Sequence, residues 1–160
     1  MEMGAIFDPT GIYRYALWRS WNPLLPRIVF IMLNPSTADS HINDPTIRRC
    51  IQFAQTWGYG TLEVVNLFGL KTTDPQELLK KDDPVGVECD RHLGAAIDRA
   101  EQILVAWGNW GCLHQRDRVV MEQLPSKKKV YCLGINRSGQ PRHPLYVKRD
   151  TLPTLYNPRL

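Results

Sequence analysis

No apolar run in this 160-residue chain approaches the roughly 18 residues that a helix needs to cross a bilayer. The opening stretch, MEMGAIFDPTG, lacks the basic segment followed by an apolar one that marks a signal peptide. The expected location is therefore the cytoplasm, with no membrane partner. Cysteine is scarce and scattered: the four stand at positions 50, 89, 112 and 132, with no Cys-x-x-Cys pair and no zinc or iron–sulfur spacing. They read as isolated buried thiols in a reducing compartment. No His, Asp and Glu cluster has the spacing of a metal site, and Ser36 and Thr37 lack the Gly-x-Ser-x-Gly elbow of a nucleophile. Neither metal nor cofactor is expected. Internal repeats, low-complexity tracts and linkers are missing too, so residues 1–160 read as a single domain.

What is present is ordinary in amount and uneven in place. Hydrophobic residues make up 43% and charged ones 22%, enough apolar surface for a core that needs no disulfide. Residues 1–126 carry 12 Lys and Arg against 15 Asp and Glu, a net of −3; residues 127–160 carry 8 against Asp150 alone, a net of +7. The 8 are Lys127, Lys128, Lys129, Arg137, Arg142, Lys148, Arg149 and Arg159. Such asymmetry points to an anionic partner, most commonly nucleic acid, with a solvated tail as the plainer alternative.

Four short runs, RIVFIML (27–33), LEVVNL (62–67), QILVAW (102–107) and KVYCLG (129–134), are β-branched and apolar nearly throughout. Strands covered on both faces read this way. YRYALWRSW, with Tyr13, Tyr15 and Leu17 alternating against polar residues, suits an antiparallel edge strand. Helical signals fill the gaps. Asp44-Pro45 looks like an N-cap with proline at the first helical position, Ile47, Ile51 and Ala54 share one face, and Gly58 is a stop. Thr73-Asp74-Pro75 opens a short second helix, with further helices over about 86–100 and about 113–123. The fold expected is α/β: a three-layer α/β/α sandwich around a four-stranded, mainly parallel sheet, with an added N-terminal antiparallel strand.

In open parallel sheets ligands bind outside the carboxyl ends of the strands, near a switch in strand order. The polar residues at those ends are Asn34, Pro35, Ser36 and Thr37, then Asn66, Asn109 and Asn136, with His143 close behind the last strand. Asn34 precedes a proline, which holds its backbone extended and leaves its amide to point across the strand ends or to serve the turn itself. Asn66 is the odd residue in VVNLF, and its amide needs neighbouring backbone or a ligand; its donor and acceptor suit a base edge. His143 sits in a basic, proline-fixed loop. Asp44 reads as a helix cap, whereas Asp39 is a candidate for orienting a water. Trp107 and Trp110 flank Gly108-Asn109, where a ring could stack on a base, with core packing the default for Trp107.

The set LNPSTAD, DPTIRRC, WGYG, VVNLF, AWGNWG and PRHPLYV resembles, over nearly the whole chain, an uncharacterised bacterial domain family, number 1643 among those of unknown function. More distantly, the order of motifs resembles the uracil-DNA glycosylase superfamily. IMLNPSTAD is similar to that superfamily's water-holding loop, in the Asn-Pro version of its mismatch-specific branch. LEVVNLF looks like its base-reading strand, and VYCLG followed by RHPLYV looks like its final strand and histidine loop. Leu145-Tyr146 stands where the superfamily has Ser-Pro, and no glycine precedes Asn34.

The resemblance implies a DNA glycosylase-like enzyme of base excision and DNA repair, hydrolysing the N-glycosidic bond of a damaged or modified base without metal or cofactor. Asn34 would position the water and His143 would stabilise the leaving base. Asn66 would read the base edge, with Pro35, Ser36, Trp107 and Asn109 around it. Pro144, Leu145 and Tyr146 would wedge into the duplex, while Lys127, Lys128, Lys129, Arg137, Arg142, Tyr146 and Lys148 would contact the nucleic acid. Two other expectations stand beside this one: a non-catalytic nucleic-acid-binding module of the same fold, and an enzyme acting on free nucleotides or nucleosides.

Overall fold

The computed structural model describes residues 1–158, so Arg159 of the basic segment lies outside the described residues. Its strands are β1 (Glu2–Phe7), β2 (Arg14–Ser20), β3 (Arg27–Met32), β4 (Thr61–Asn66), β5 (Gln102–Val105), β6 (Val130–Cys132) and β7 (Thr154–Leu155). Its α-helices are α1 (Pro45–Thr56), α2 (Glu77–Lys80), α3 (Cys89–Arg99) and α4 (Arg116–Gln123). The strands form one sheet in the order β1-β2-β4-β3-β5-β6-β7. Within it β4, β3, β5 and β6 pair in parallel, whereas β1 with β2, β2 with β4, and β6 with β7 pair antiparallel.

The sheet is thus seven-stranded and mixed, which corrects the four-stranded count with one added strand. The two extra strands carry little sequence signal. β7 is two residues long. β1 contains Gly4, where a Cβ would come within 2.1 Å of the Trp18 ring, so its pairing rests on a missing side chain rather than on apolar alternation. β2 is not an edge strand either, since β1 covers it.

Alternate residues of the central strands feed opposite faces, which explains their near-continuous apolar character. Ile28, Phe30 and Met32 of β3, Leu62 and Val64 of β4 and Leu104 of β5 pack with Ile47, Cys50, Phe53 and Ala54 of α1. Val29, Ile31, Val65, Ile103 and Val105 pack with Leu93, Ala96 and Ile97 of α3 and Val120 of α4. Helices therefore cover both faces of the sheet. α1 starts where expected: the Asp44 carboxylate accepts from the Ile47 N–H at 2.8 Å, with Pro45 following. Gly58, at φ 89°, turns the chain away after its last turn.

β2 departs from simple alternation. Ile6 pairs with Ala16 and Phe7 with Arg14, so Tyr15 is an extra residue in a β-bulge. Tyr15 and Leu17, expected on one face, consequently enter opposite clusters. The bulge returns Arg14 to the side of α1, where its Nη1 donates to the Ala38 carbonyl at 3.0 Å. Arg19 reaches the same stretch: it donates to Asn43 Oδ1 and to the carbonyls of Asp39, Ile42, Gly4 and Trp18. These two buried arginines pin the long polar loop between β3 and α1. No helix among the described residues is long and apolar enough to cross a membrane.

Candidate functional site

A cavity of about 490 Å³ opens at the carboxyl ends of the parallel strands. It lies where β4 and β5 flank β3 on opposite sides, the switch in strand order. Met32 and Asn66 are register partners at the ends of β3 and β4, so the loops leaving these strands meet at the cavity floor. Asn34, Ser36, Asn66, Trp107, Asn109, His143 and Tyr146 all line it; residues far apart in sequence are brought together there. Pro35 is buried behind the wall.

Asn34 uses both amide hydrogens on backbone: Nδ2 donates to Pro35 O at 2.9 Å and to Thr72 O at 2.8 Å. Thr72 N–H in turn donates to Pro35 O, which ties the loop after β3 to the loop after β4. The side chain is held in one orientation, with its carbonyl oxygen left as the acceptor for a ligand or water.

Asn66 is the opposite case. It is 2% exposed, and neither Nδ2 nor Oδ1 has a hydrogen-bond partner. Among the described residues only one other buried side-chain nitrogen or oxygen lacks a partner, the Nε of Arg14. Both residues line this cavity. Each such atom costs on the order of 1–3 kcal/mol when nothing satisfies it, and all three belong to residues that line one cavity.

His143 is fixed by its loop. Its Nδ1 accepts from the Leu145 N–H at 3.2 Å, with Pro144 between them, so the neutral ring carries its proton on Nε2. Burial lowers its pKa to about 4, against a smaller opposing pull from Asp44; near neutral pH it is an uncharged donor. Gly108, at φ 77°, lies directly behind it, where a Cβ would stand 3.9 Å from the His143 Cβ.

The rim is apolar and open. Tyr146 is 81% exposed and tilts against His143 at 5.6 Å, with Leu145 and Trp110 also partly exposed nearby. Trp107 is core: it is buried and its Nε1 donates to Gln140 Oε1 at 2.8 Å. Asn109 is a bracket, its Oδ1 accepting from Asn136 Nδ2 at 3.0 Å and Ser138 Oγ at 2.6 Å.

The basic segment divides in two. Lys127, Lys128 and Lys129 precede β6, at the amino end of the parallel strands and away from the cavity, and Lys128 Nζ donates to the Ile97 and Ala100 carbonyls at the end of α3. The basic segment therefore does not stand as one group beside the histidine loop. Arg137, Arg142 and Lys148 follow β6 on the cavity side and are exposed. Asp39 does not line the cavity; its Oδ1 accepts from the His41 and Ile42 N–H groups, which lower its pKa. Cys50, Cys89 and Cys132 are buried and Cys112 exposed, all as free thiols.

Sequence reasoning missed Arg14, Thr72 and the second role of Asp44, which lines the cavity while its carboxylate accepts from both Ile47 N and Ala38 N. Only a bulge in β2 could have signalled Arg14. Among the described residues no group of three or more His, Cys, Asp or Glu is placed to hold a metal ion. No curated protein and no solved structure matches the chain. The family described as "Protein of unknown function (DUF1643)" matches residues 14–145, a span that takes in every cavity-lining residue but Tyr146, and the chain belongs to that family.

Proposed function

We propose that this chain is a uracil-DNA glycosylase-like enzyme that hydrolyses the N-glycosidic bond of a damaged or modified base in DNA. The observation that carries the reading is the buried, unpartnered amide of Asn66 on the cavity wall. An amide offers one donor and one acceptor side by side, which a nucleobase edge completes. The four parallel strands and the order of the three motif loops along them support the likeness to the glycosylase superfamily.

In this reading Asn34 Oδ1 accepts a hydrogen from water and turns the oxygen lone pair toward the sugar C1′. His143 donates from Nε2 to the departing base, where negative charge develops. Trp110, Leu145 and Tyr146 stand at the mouth, where apolar side chains can fill the gap left by an extruded base. Arg137, Arg142 and Lys148 supply phosphate contacts on that side.

One observation favours a second reading, a binding module of the same fold without chemistry. Among the described residues Asp44 is the only carboxylate on the wall, and both its oxygens are engaged by backbone N–H groups, so no spare general base stands beside Asn34.

Oligonucleotides carrying uracil, mismatched thymine, hypoxanthine, xanthine or hydroxymethylated bases separate the two. The enzyme produces alkali-labile abasic sites at one of them, lost in Asn34→Ala and His143→Ala. Tight, salt-sensitive binding with no abasic product establishes the module. Neutralising Arg137 and Lys148 lowers the salt slope by about 1 each; neutralising Lys127 and Lys129 leaves it unchanged.

A further inference from the structure

Arg14 and Arg19 lie five residues apart in β2, both buried and both reaching the loop between β3 and α1. Arg19 spends its guanidinium fully, with Nε, Nη1 and Nη2 all donating, and it does not line the cavity. The Arg14 side chain, which lines the cavity, makes one hydrogen bond, from Nη1 to Ala38 O, and its Nε is buried without a partner. Were its task only to hold the loop, a fully paired arrangement like that of Arg19 would be expected. Burial lowers its pKa to about 10, with Asp44 opposing the loss of charge; at neutral pH it remains a cation and a donor without acceptor capacity.

We propose that Arg14 is a specificity-determining residue that donates to a carbonyl oxygen of the base held by Asn66, restricting the pocket to bases with an acceptor beyond the pair that Asn66 reads. The inference rests on the base-binding reading above. Asn66 takes one donor and one neighbouring acceptor; Arg14 requires a further acceptor. Uracil and thymine-type bases present carbonyl, N–H and carbonyl in series, and cytosine presents amino, ring nitrogen and carbonyl. Hypoxanthine and adenine show only a C–H at the third position, and guanine places an amino donor there, against the guanidinium. A site built to donate to an oxygen discriminates strongly against the analogue lacking it, because its own buried donor is then left unpaired.

The test uses duplexes that resist cleavage, with a 2′-fluorine on the target nucleotide and uracil, cytosine, hypoxanthine or adenine as its base. A tetrahydrofuran abasic duplex is the reference. Wild type is expected to bind the uracil and cytosine duplexes about tenfold more tightly than the hypoxanthine and adenine ones. Arg14→Met collapses that ratio toward unity. Arg14→Lys, which keeps the charge and a donor for Ala38 O but has no Nε, collapses it too and guards against a folding defect in the first variant. A ratio that survives in both folded variants overturns the role of Arg14 and leaves the base pocket standing. Wild-type binding to every base-bearing duplex no tighter than to the abasic one overturns the base pocket and the role of Arg14 together.

Discussion

The two ends of the parallel sheet handle buried polarity in opposite ways. At the amino end Glu63, 1% exposed, is gripped by Arg27 at 2.8 Å and by Arg99 at 2.5 Å. At the carboxyl end Asn66, three residues along the same strand and 2% exposed, holds nothing. Both are polar interruptions of one apolar strand, yet one is closed upon itself and the other is left open. A satisfied buried group marks architecture, whereas an unsatisfied one on a cavity wall marks a place prepared for a molecule from outside.

The largest expected effect breaks the closed end. The double variant Arg27→Ala, Arg99→Ala leaves the Glu63 carboxylate buried without its cations and costs about 3–5 kcal/mol, roughly 10 °C in Tm by thermal melting. Oligonucleotide affinity of the folded fraction stays unchanged. Asn66→Leu inverts this pattern at the open end. Replacing an unpaired amide by an apolar side chain of similar shape is neutral or stabilises by about 1 kcal/mol, while affinity for the base-bearing duplex falls about a hundredfold, measured by fluorescence titration beside the same melt.

A smaller effect concerns pH. The His143 pKa stands at about 4, against 6.5 for an ordinary histidine, so as pH falls the unfolded chain takes up the proton first. Stability present above pH 6.5 is therefore lost progressively down to about pH 4. The loss is on the order of 1–2 kcal/mol, discounted from the full shift because the ring is part open to solvent. In melts run across this range His143→Gln has a correspondingly flatter profile; an identical slope in both proteins would sink the assignment of a buried neutral ring.

Legibility in the sequence followed from where each residue stands. Asn34 and Asn66 could be singled out because each is polar at the end of a strand that is otherwise apolar, and His143 because it stands in a basic, proline-fixed loop behind the last one; the parallel core strands themselves announce their two-sided burial. Arg14 and Arg19 could not. In a strand that alternates, a charged residue reads as the solvent face, and only the β1 pairing and the loop folded over β2 bury them. Lys127–Lys129 misled in the opposite sense: net charge counted along the chain is blind to the direction of β6, which sets these lysines and the loop of His143 at opposite ends of that strand. The two-residue β7 and glycine-bearing β1 were equally silent, since neither carries an apolar pattern of its own.

The bulge at Tyr15 gives β2 an odd count relative to β1, and that parity decides which side chain faces the cavity. Pairing the same residues without the bulge, so that Tyr15 and not Arg14 stood opposite Phe7, would turn Arg14 to the other face and set a ring where the cation now stands. What lines the cavity on this side is therefore set by the register of a strand as well as by the identity of its residues.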